Sequence, residues 1–382
     1  MSNFFNLKQK ITKKKHLWIT LGGILVFILI INVMTSANLF SMKYDSAEAD
    51  VEGKKIPAAP APVLLDMVAY DKKLSDIANN DIPIVVAPPI TATSTAVVSK
   101  TPIVPPAVAN LWPVKTVYPN AGAILPFNRI VAYYGNFYST KMGVLGEYPT
   151  EEMLTRLNNE VVKWRAADPF TPVVPAIDYI AITAQGSPGA DGKYRFRMPD
   201  SQIDHALELA KRIDGIVFLD LQVGLSNVQT EIPLLEKYLK MPQVHLSLDP
   251  EFSMKTGARP GTVIGTMDAT DINFAANYLA KLVKENNLPP KILVIHRFTG
   301  PMVTHYKQIT PLPEVQIVMD MDGWGFGAKK INTYNQVVYK EPVQFTGFKL
   351  FYKNDIKAPS TRMLTLAEIL KLKPQPLYIQ YQ

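Results

Sequence analysis

The chain has 382 residues, a net charge of +7 at pH 7, 31 prolines and no cysteine. The lack of cysteine excludes disulfides, thiol nucleophiles, cysteine-ligated metals and a lipid-attachment cysteine. Five lysines lie in residues 1–16, which contain no acid, so the rest of the chain carries only about +2 and lacks the basic stripe of a nucleic-acid-binding domain. We therefore expect no nucleic-acid partner.

The N-terminal region has the pattern of a membrane-targeting segment. The uncharged run Leu17–Met34 has 18 residues and would span about 27 Å as a helix. The lysines before it predict a cytoplasmic basic tail at 1–16, a transmembrane anchor at 17–36 and a single-pass protein whose remainder is extracytoplasmic. A cleaved signal peptide is the alternative, with residues 35–37 as the small-residue cleavage site and a secreted product.

Residues 37–126 are rich in proline, alanine and valine. Prolines cannot donate to a strand ladder and favour extended backbone, so this range is predicted to be a disordered Pro-rich linker. Residues 63–79 have the apolar spacing of a short helix, which is interpreted as incidental to the linker, with a self-association or docking element as the alternative.

Residues 127–382 alternate apolar, strand-like runs with stretches long enough for a helix. Eight such units in about 250 residues predict an α/β fold, a (β/α)8 TIM-type barrel, whose chemistry lies at the C-terminal ends of its strands. The predicted strands are Arg129–Tyr134, Val173–Thr183, Gly215–Gln222, Val244–Asp249, Ile292–His296, Val315–Met319, Thr346–Tyr352 and Leu377–Tyr381.

Side-chain alternation predicts which residues point into the barrel. Apolar residues must face the helices, so the polar residues of opposite parity point inward. The predicted inward set is Asp178, Asp220, Gln222, His245, Ser247, Asp249, His296, Asp320, Asp322, Lys349, Tyr378 and Gln380. Acids clustered in a cleft usually mark a site. A purely structural role is the alternative for Asp178, His245 and Lys349.

The segment 248–252, Leu-Asp-Pro-Glu-Phe, is the sharpest local feature. Asp249 ends the fourth strand, the proline fixes a turn, and Glu251 is carried over the barrel mouth. Two acids in different surroundings suit a division of labour in which one is ionised and the other holds a proton, as glycosidic bond cleavage requires. We predict Glu251 as general acid, Asp249 as its orienting or charge-stabilising partner, and Asp322 or Asp220 as base or nucleophile.

Other side chains near the strand ends are predicted to bind the substrate, with aromatic faces stacking on sugar rings. These residues are Tyr134, Gln222, His296, Trp324, Lys349, Tyr352 and Gln380. The predicted function is a glycoside hydrolase-like protein that acts on a cell-envelope or environmental polysaccharide without a cofactor.

Two alternatives remain open. One is a divalent-metal-dependent hydrolase with oxygen-rich ligands, drawn from Asp220, Asp249, His296, Asp320 and Asp322. The other is a non-catalytic glycan-binding or structural barrel of the cell envelope.

Several motifs together resemble a family of exported bacterial proteins, often lipoproteins. They are VAYYG at 131–135, GVLGEY at 143–148, LDLQVG at 219–224, HLSLDPEF at 245–252, HRF at 296–298, DGWG at 322–325, GFKLFY at 347–352 and the terminal YIQYQ. The resemblance covers about residues 129–382 and implies a barrel and export rather than a reaction. A looser, fold-level resemblance to barrel glycoside hydrolases implies an acid just after strand four. Many of those enzymes place the nucleophile at the end of strand seven, where the nearest acid here is Asp355.

Overall fold

The computed structural model describes residues 64–79 and 111–382. Eight parallel strands within them form a closed barrel, because each strand pairs with the next along the chain and the last pairs with the first. They are β1 Arg129–Gly135, β2 Val173–Ala184, β3 Ile216–Leu221, β4 Val244–Leu248, β5 Lys291–Arg297, β6 Val315–Met321, β7 Phe345–Leu350 and β8 Tyr378–Tyr381. The predicted (β/α)8 barrel is confirmed, and no predicted strand end is wrong by more than two residues.

Apart from α1, which covers one end of the barrel, the helices of the described residues pack on its outside or join its strands. They are α1 Met67–Asn79, α2 Thr150–Ala167, α3 Asp200–Arg212, α4 Val228–Glu231, α5 Glu236–Leu239, α6 Ala269–Asn286, α7 Gly327–Tyr334 and α8 Leu366–Ile369. A capping box between Asp268 and Asp271 starts α6, and Asn287 ends it in the left-handed conformation. After β5 and β6 the chain is less regular, and α7 runs into the π-helical turn Asn335–Tyr339.

Two apolar layers follow from the alternation along the strands. The residues of one parity, such as Leu219, Leu246 and Ile295, pack between the strands and the helices. The residues of the other parity fill the barrel interior near its N-terminal end, where Phe218 and Val294 are fully buried. Towards the C-terminal end this inner parity becomes polar, so polar side chains collect at the end where a (β/α)8 barrel carries its site.

Helix α1 closes the N-terminal end of the barrel. Its Tyr70 and Ile77 are buried against the apolar interior, and the Gln375 N–H donates to the Ile77 carbonyl at 3.0 Å. Both α1 and residues 111–126 fall within the predicted linker 37–126, so for these stretches the expectation of a disordered spacer does not hold. The physical reason is that the open base of the barrel offers an apolar surface that α1 covers.

The remaining N-terminal predictions lie outside the described residues. This applies to the tail at 1–16, the anchor or signal peptide at 17–36, and the linker at 37–63 and 80–110. Among the residues described, no helix combines the length and the apolar character needed to cross a membrane.

Candidate active site

The C-terminal ends of the barrel strands surround an open cleft of about 650 Å³. Seven of the eleven predicted site residues line it: Tyr134, Gln222, Asp249, Glu251, Asp322, Trp324 and Lys349. Its wall also includes Lys141, Phe252, Phe298, Lys329, Phe351, Asn354 and Gln382.

The acid-Pro-acid segment forms a tight 3₁₀ turn, Pro250–Phe252, directly after β4. Asp249 caps this turn, because its Oδ1 accepts the Glu251 N–H at 3.1 Å. On the other side the Gly265 N–H donates to the Glu251 carbonyl at 2.6 Å. A Cβ at Gly265 would lie 2.5 Å from the carbonyl oxygen of Pro250. The turn is therefore fixed on both sides and holds the half-buried Glu251 at the cleft wall.

His296 lies beneath the cleft among three carboxylates. Its Nδ1 is 3.1 Å from Asp320 Oδ2 and 3.6 Å from Asp322 Oδ2. Its Nε2 is 3.5 Å from Asp220 Oδ1. Burial alone would lower the pKa of His296, but the neighbouring carboxylates outweigh it and hold that pKa well above 6.5. His296 is therefore an imidazolium whose charge is shared by the three acids.

Lys349 adds a second cation at the cleft. Its Nζ is 3.0 Å from Asp322 Oδ1 and 3.9 Å from the ring centroid of Tyr134. Burial alone would lower the pKa of Lys349, but Asp322 and Asp249 raise it above its usual 10.5. Asp322 therefore has a cation at each oxygen, Lys349 at Oδ1 and His296 at Oδ2.

Tyr134 connects the cleft to the acids below it. Its hydroxyl donates to Asp220 Oδ2 at 2.9 Å and accepts from Gln222 Nε2 at 3.2 Å. The same Nε2 is 3.4 Å from Asp249 Oδ2. Burial, followed by the charge of Asp220, raises the pKa of Tyr134 well above 10, so the phenol is protonated and donating. These contacts fix the side chains from β1, β3 and the end of β4 relative to one another.

The two acids of the turn lie in surroundings that favour their protonated forms. Burial raises the pKa of Glu251, and the charge of Asp322 raises it further. Burial also raises the pKa of Asp249 well above its usual value, with Asp220 as the next cause. Asp322 is the carboxylate that raises the pKa of Glu251, and both residues line the cleft.

Three of the predicted site residues lie below the cleft rather than on its wall. Asp220, His296 and Gln380 are fully buried and do not line it. Asp220 is covered by the contacts with Tyr134 and His296 described above, and Gln380 donates to Asp178 Oδ2 at 2.7 Å. We therefore assign these three to the support of the site and not to direct contact with a ligand.

The prediction that Tyr352 forms part of the sugar-binding floor is wrong. Its hydroxyl lies 3.0 Å from the Tyr133 hydroxyl, and its ring stacks on Tyr381 with centroids 5.3 Å apart, in the layer between barrel and helices. Because side chains alternate, Lys349 and Phe351 face the cleft and Tyr352 faces away from it.

The sequence alternation could have identified some of the cleft residues that were not predicted. Phe351 has the parity of Lys349, and Gln382 has the parity of Gln380, so alternation extended by one step would have found both. Lys141 and Lys329 come from a loop and from α7, where no strand parity applies.

Asp355 holds the place after β7 at which many barrel glycoside hydrolases carry a nucleophile, but its surroundings are structural. It is 1% exposed and ion-pairs with the buried Lys330. Its oxygens also accept the Gly325 N–H at 3.0 Å and the Phe351 N–H at 2.9 Å. Asp355 therefore joins the loop that carries Trp324 to the end of β7.

Two interior residues act as internal supports. Asp178 Oδ2 accepts from Tyr378 at 2.6 Å, Gln380 at 2.7 Å and Ser247 at 3.1 Å. Burial and then Asp220 raise the pKa of Asp178 to about 7. Burial, followed by the charge of Lys291, lowers the pKa of His245 well below 6.5.

The acids near the cleft are not arranged around a common metal position. In the ranges 64–79 and 111–382, no group of three or more His, Cys, Asp or Glu side chains is arranged to hold a metal ion. Near the carboxylates of the cleft, the positive charge is supplied by His296 and Lys349.

Comparisons with known proteins gave distant structural likenesses alone. No protein-family model and no curated protein matches the chain. A ruminal GH26 endo-β-1,4-mannanase gives a TM-score of 0.35 at 13% identity, over 66% of this chain and 58% of its own. The cellulose synthase subunit Z of Clostridioides difficile gives 0.34 at 10% identity, over 67% and 92%. Plasmodium falciparum HPPK-DHPS with pteroate gives 0.31 at 14%, over 66% and 44%. At such scores these likenesses carry no argument about function.

Proposed function

We propose that the chain is a glycoside hydrolase-like enzyme that cleaves a polysaccharide by carboxylate acid/base chemistry. The observation that carries the proposal is the pair formed by Glu251 and Asp322 at the cleft wall. Burial and the charge of Asp322 raise the pKa of Glu251, while Asp322 has Lys349 and His296 at its two oxygens. Glu251 is thus suited to hold the proton that the leaving group needs, and Asp322 is suited to stabilise positive charge on the sugar, as glycosidic cleavage requires.

Each residue of this pair has a role in the proposed reaction. Glu251 protonates the leaving glycosidic oxygen, and Asp249 holds the turn that presents it. Asp322 either takes a proton from the water that attacks the sugar, as base, or attacks the anomeric carbon itself, as nucleophile, forming a glycosyl-enzyme that water then hydrolyses; in both cases its charge stabilises the oxocarbenium-like transition state. Asp220 is less suited to this role, because it lies under Tyr134 and is fully buried.

The rest of the cleft supports a sugar ligand. Trp324 is 52% exposed at the rim, and Tyr134, Phe252 and Phe351 add aromatic surface along the wall. Aromatic faces stack on sugar rings and exclude water from them. Gln222 and Asn354 supply hydrogen-bonding groups at the same wall.

We further propose that the enzyme is tethered to a membrane, with its barrel outside the cytoplasm. The support is the sequence alone: a basic tail at 1–16 followed by an uncharged apolar run at 17–34. The substrate would then be a polysaccharide of the cell envelope or the environment. A protease-protection assay on intact spheroplasts tests this arrangement, and protection of the barrel from external protease would refute it.

The test of catalysis is turnover of a panel of polysaccharides by the full-length chain, measured as the release of reducing ends. Glu251→Gln should lower kcat by roughly 10²–10⁴-fold, because it removes a general acid. The matched control is Glu285→Gln, at the exposed end of α6, which should leave turnover unchanged. Circular dichroism spectra of both variants should match that of the unsubstituted chain, which checks that they are folded.

Three other outcomes would contradict the proposal. Unchanged turnover in Glu251→Gln would remove the assigned acid. Saturable glycan binding without turnover in any protein form would favour the non-catalytic barrel. Loss of activity with a chelator, restored by one divalent cation, would favour the metal-dependent hydrolase.

A further inference from the structure

One part of the cleft rim has no role in the proposed acid/base chemistry. Trp324 stands at the rim with two ammonium groups near its ring. Lys329 Nζ lies 4.9 Å from the ring centroid and Lys357 Nζ lies 5.9 Å from it. All three side chains are exposed, and Lys329 lines the cleft. Lys141, also exposed, lines the cleft as well.

These rim lysines differ from the other lysines around the cleft by lacking an acid. In the described residues, no carboxylate forms an ion pair with Lys141, Lys329 or Lys357. By contrast, Lys353, on the same loop as Lys357, pairs with Glu147 at 2.7 Å. The rim therefore presents two uncompensated ammonium groups beside an exposed aromatic ring, and a third, Lys141, lies on the wall of the same cleft.

The acids of the cleft do not cancel this charge. Asp322 is already paired with Lys349 at 3.0 Å. Burial raises the pKa of both Asp249 and Glu251, which favours their neutral forms. A cleft with one sign of charge concentrates ligands of the opposite sign.

We propose that this cleft binds an acidic polysaccharide, with a sugar ring on Trp324 and its anionic substituents on Lys141, Lys329 and Lys357. The substituents share one chemistry, an exposed anionic oxygen group, which a uronate carboxylate, a sulfate ester or a phosphate ester supplies. This inference rests on the proposed function in that both use the same cleft. It concerns binding, so it can fail or hold independently of turnover.

The test measures binding with the full-length Glu251→Gln chain, so that no probe is consumed. Affinity electrophoresis in gels containing polygalacturonate should retard the chain. Gels with the carboxyl-reduced form of the same polymer should not, because the backbone is kept and the charge is removed. A sulfated galactan and a phosphomannan serve as the other two anionic arms. Retardation should weaken as ionic strength rises, since salt screens exposed charges.

Charge variants then locate the binding to the rim. Lys329→Gln and Lys357→Gln should each weaken retention by up to about fivefold, the range for an exposed ion pair. Lys281→Gln removes the same charge from the outer face of α6, where Lys281 is 59% exposed, and should leave retention unchanged. Trp324→Ala should weaken retention in every anionic gel that binds.

The outcomes separate this inference from the proposed function. Equal retention by the charged and the reduced polymer, or no retention in any of the three anionic gels, overturns the inference. So does an equal effect of Lys281→Gln and Lys329→Gln. Hydrolysis of a neutral glycan together with no retention in any anionic gel would uphold the proposed function and overturn the inference. Anionic retention without hydrolysis by the unsubstituted chain would do the reverse.

Discussion

Replacing Lys349 with Met removes the buried ammonium and keeps the length of the side chain. Lys349 and Asp322 are 3% and 7% exposed and 3.0 Å apart. With an effective dielectric constant of about 20, their attraction is roughly 5 kcal/mol. In this variant His296, whose Nδ1 is 3.6 Å from the other oxygen of Asp322, still offsets part of the Asp322 charge. Breaking a buried pair from one side costs about 3–5 kcal/mol, so we expect a loss near 3 kcal/mol and a fall in Tm of roughly 6–10 °C.

The assay is a double-mutant cycle measured by denaturant and thermal unfolding. Asp322→Asn combined with Lys349→Met removes both charges, so the double variant should be more stable than the sum of the single losses predicts, by about 2 kcal/mol. Additive losses would refute the assignment of a coupled buried pair. Because the fold raises the pKa of Lys349 above 10.5, its stabilisation is present at neutral pH and is lost as pH rises through that raised value.

The same variant makes a separate prediction about activity. Lys349 holds down the pKa of Glu251, so Lys349→Met should raise that pKa further. A general acid works in its protonated form, so the alkaline limb of the pH–rate profile should move to higher pH. An unmoved limb would show that Glu251 is not the group that titrates there.

Two further predictions concern the turn that carries Glu251 and a buried lysine at the start of β5. Gly265→Ala should lower kcat and stability together, because its Cβ would lie within 2.6 Å of the Glu251 carbonyl oxygen. The control is Gly186→Ala, since a Cβ at Gly186 meets open space. Equal effects of the two substitutions would contradict the close packing of Gly265 against the turn that carries Glu251. Relative to its effect at high pH, Lys291→Met should become more favourable for the fold at pH 6 by on the order of 2–4 kcal/mol, because burial lowers the pKa of Lys291 to about 7 and the buried charge is then unfavourable; loss of the hydrogen bonds that Lys291 Nζ donates to the Met241 and Val244 carbonyls is a cost at every pH. That gain should fade as pH rises from about 7 towards 10.5, where Lys291 is neutral in the unfolded chain as well; a gain independent of pH, measured by urea unfolding, would contradict the cause.

Strand positions and inward parity could be predicted from the sequence because alternation is a local property. Asp220, His296 and Lys349 were each placed inside the barrel correctly. Their depth was not predictable, because it depends on how the strands are staggered around the closed barrel. Lys349 therefore reaches the cleft, whereas Asp220 and His296 lie beneath it. Tyr352 was assigned to the cleft because it lies close to the end of β7, although its parity is opposite to that of Lys349 and points its side chain away from the cleft.

Long-range packing was the other part that local patterns missed. The spacing in residues 63–79 indicated a helix, but nothing in it identified the barrel base as the surface it covers. Asp355 likewise carries no sequence signal for its pairing with Lys330, which joins the loop after β7 to helix α7, which follows β6.

Helix α1 also affects how force and truncation act on this molecule. It is the described element nearest to the N-terminal segment, and it is seated at the opposite end of the barrel from Glu251. Tension transmitted through that segment would load the base before it reached the rim that carries Glu251. A recombinant chain that begins at residue 127 would lack α1 and would expose the apolar side chains at the base of the barrel that Tyr70 and Ile77 cover.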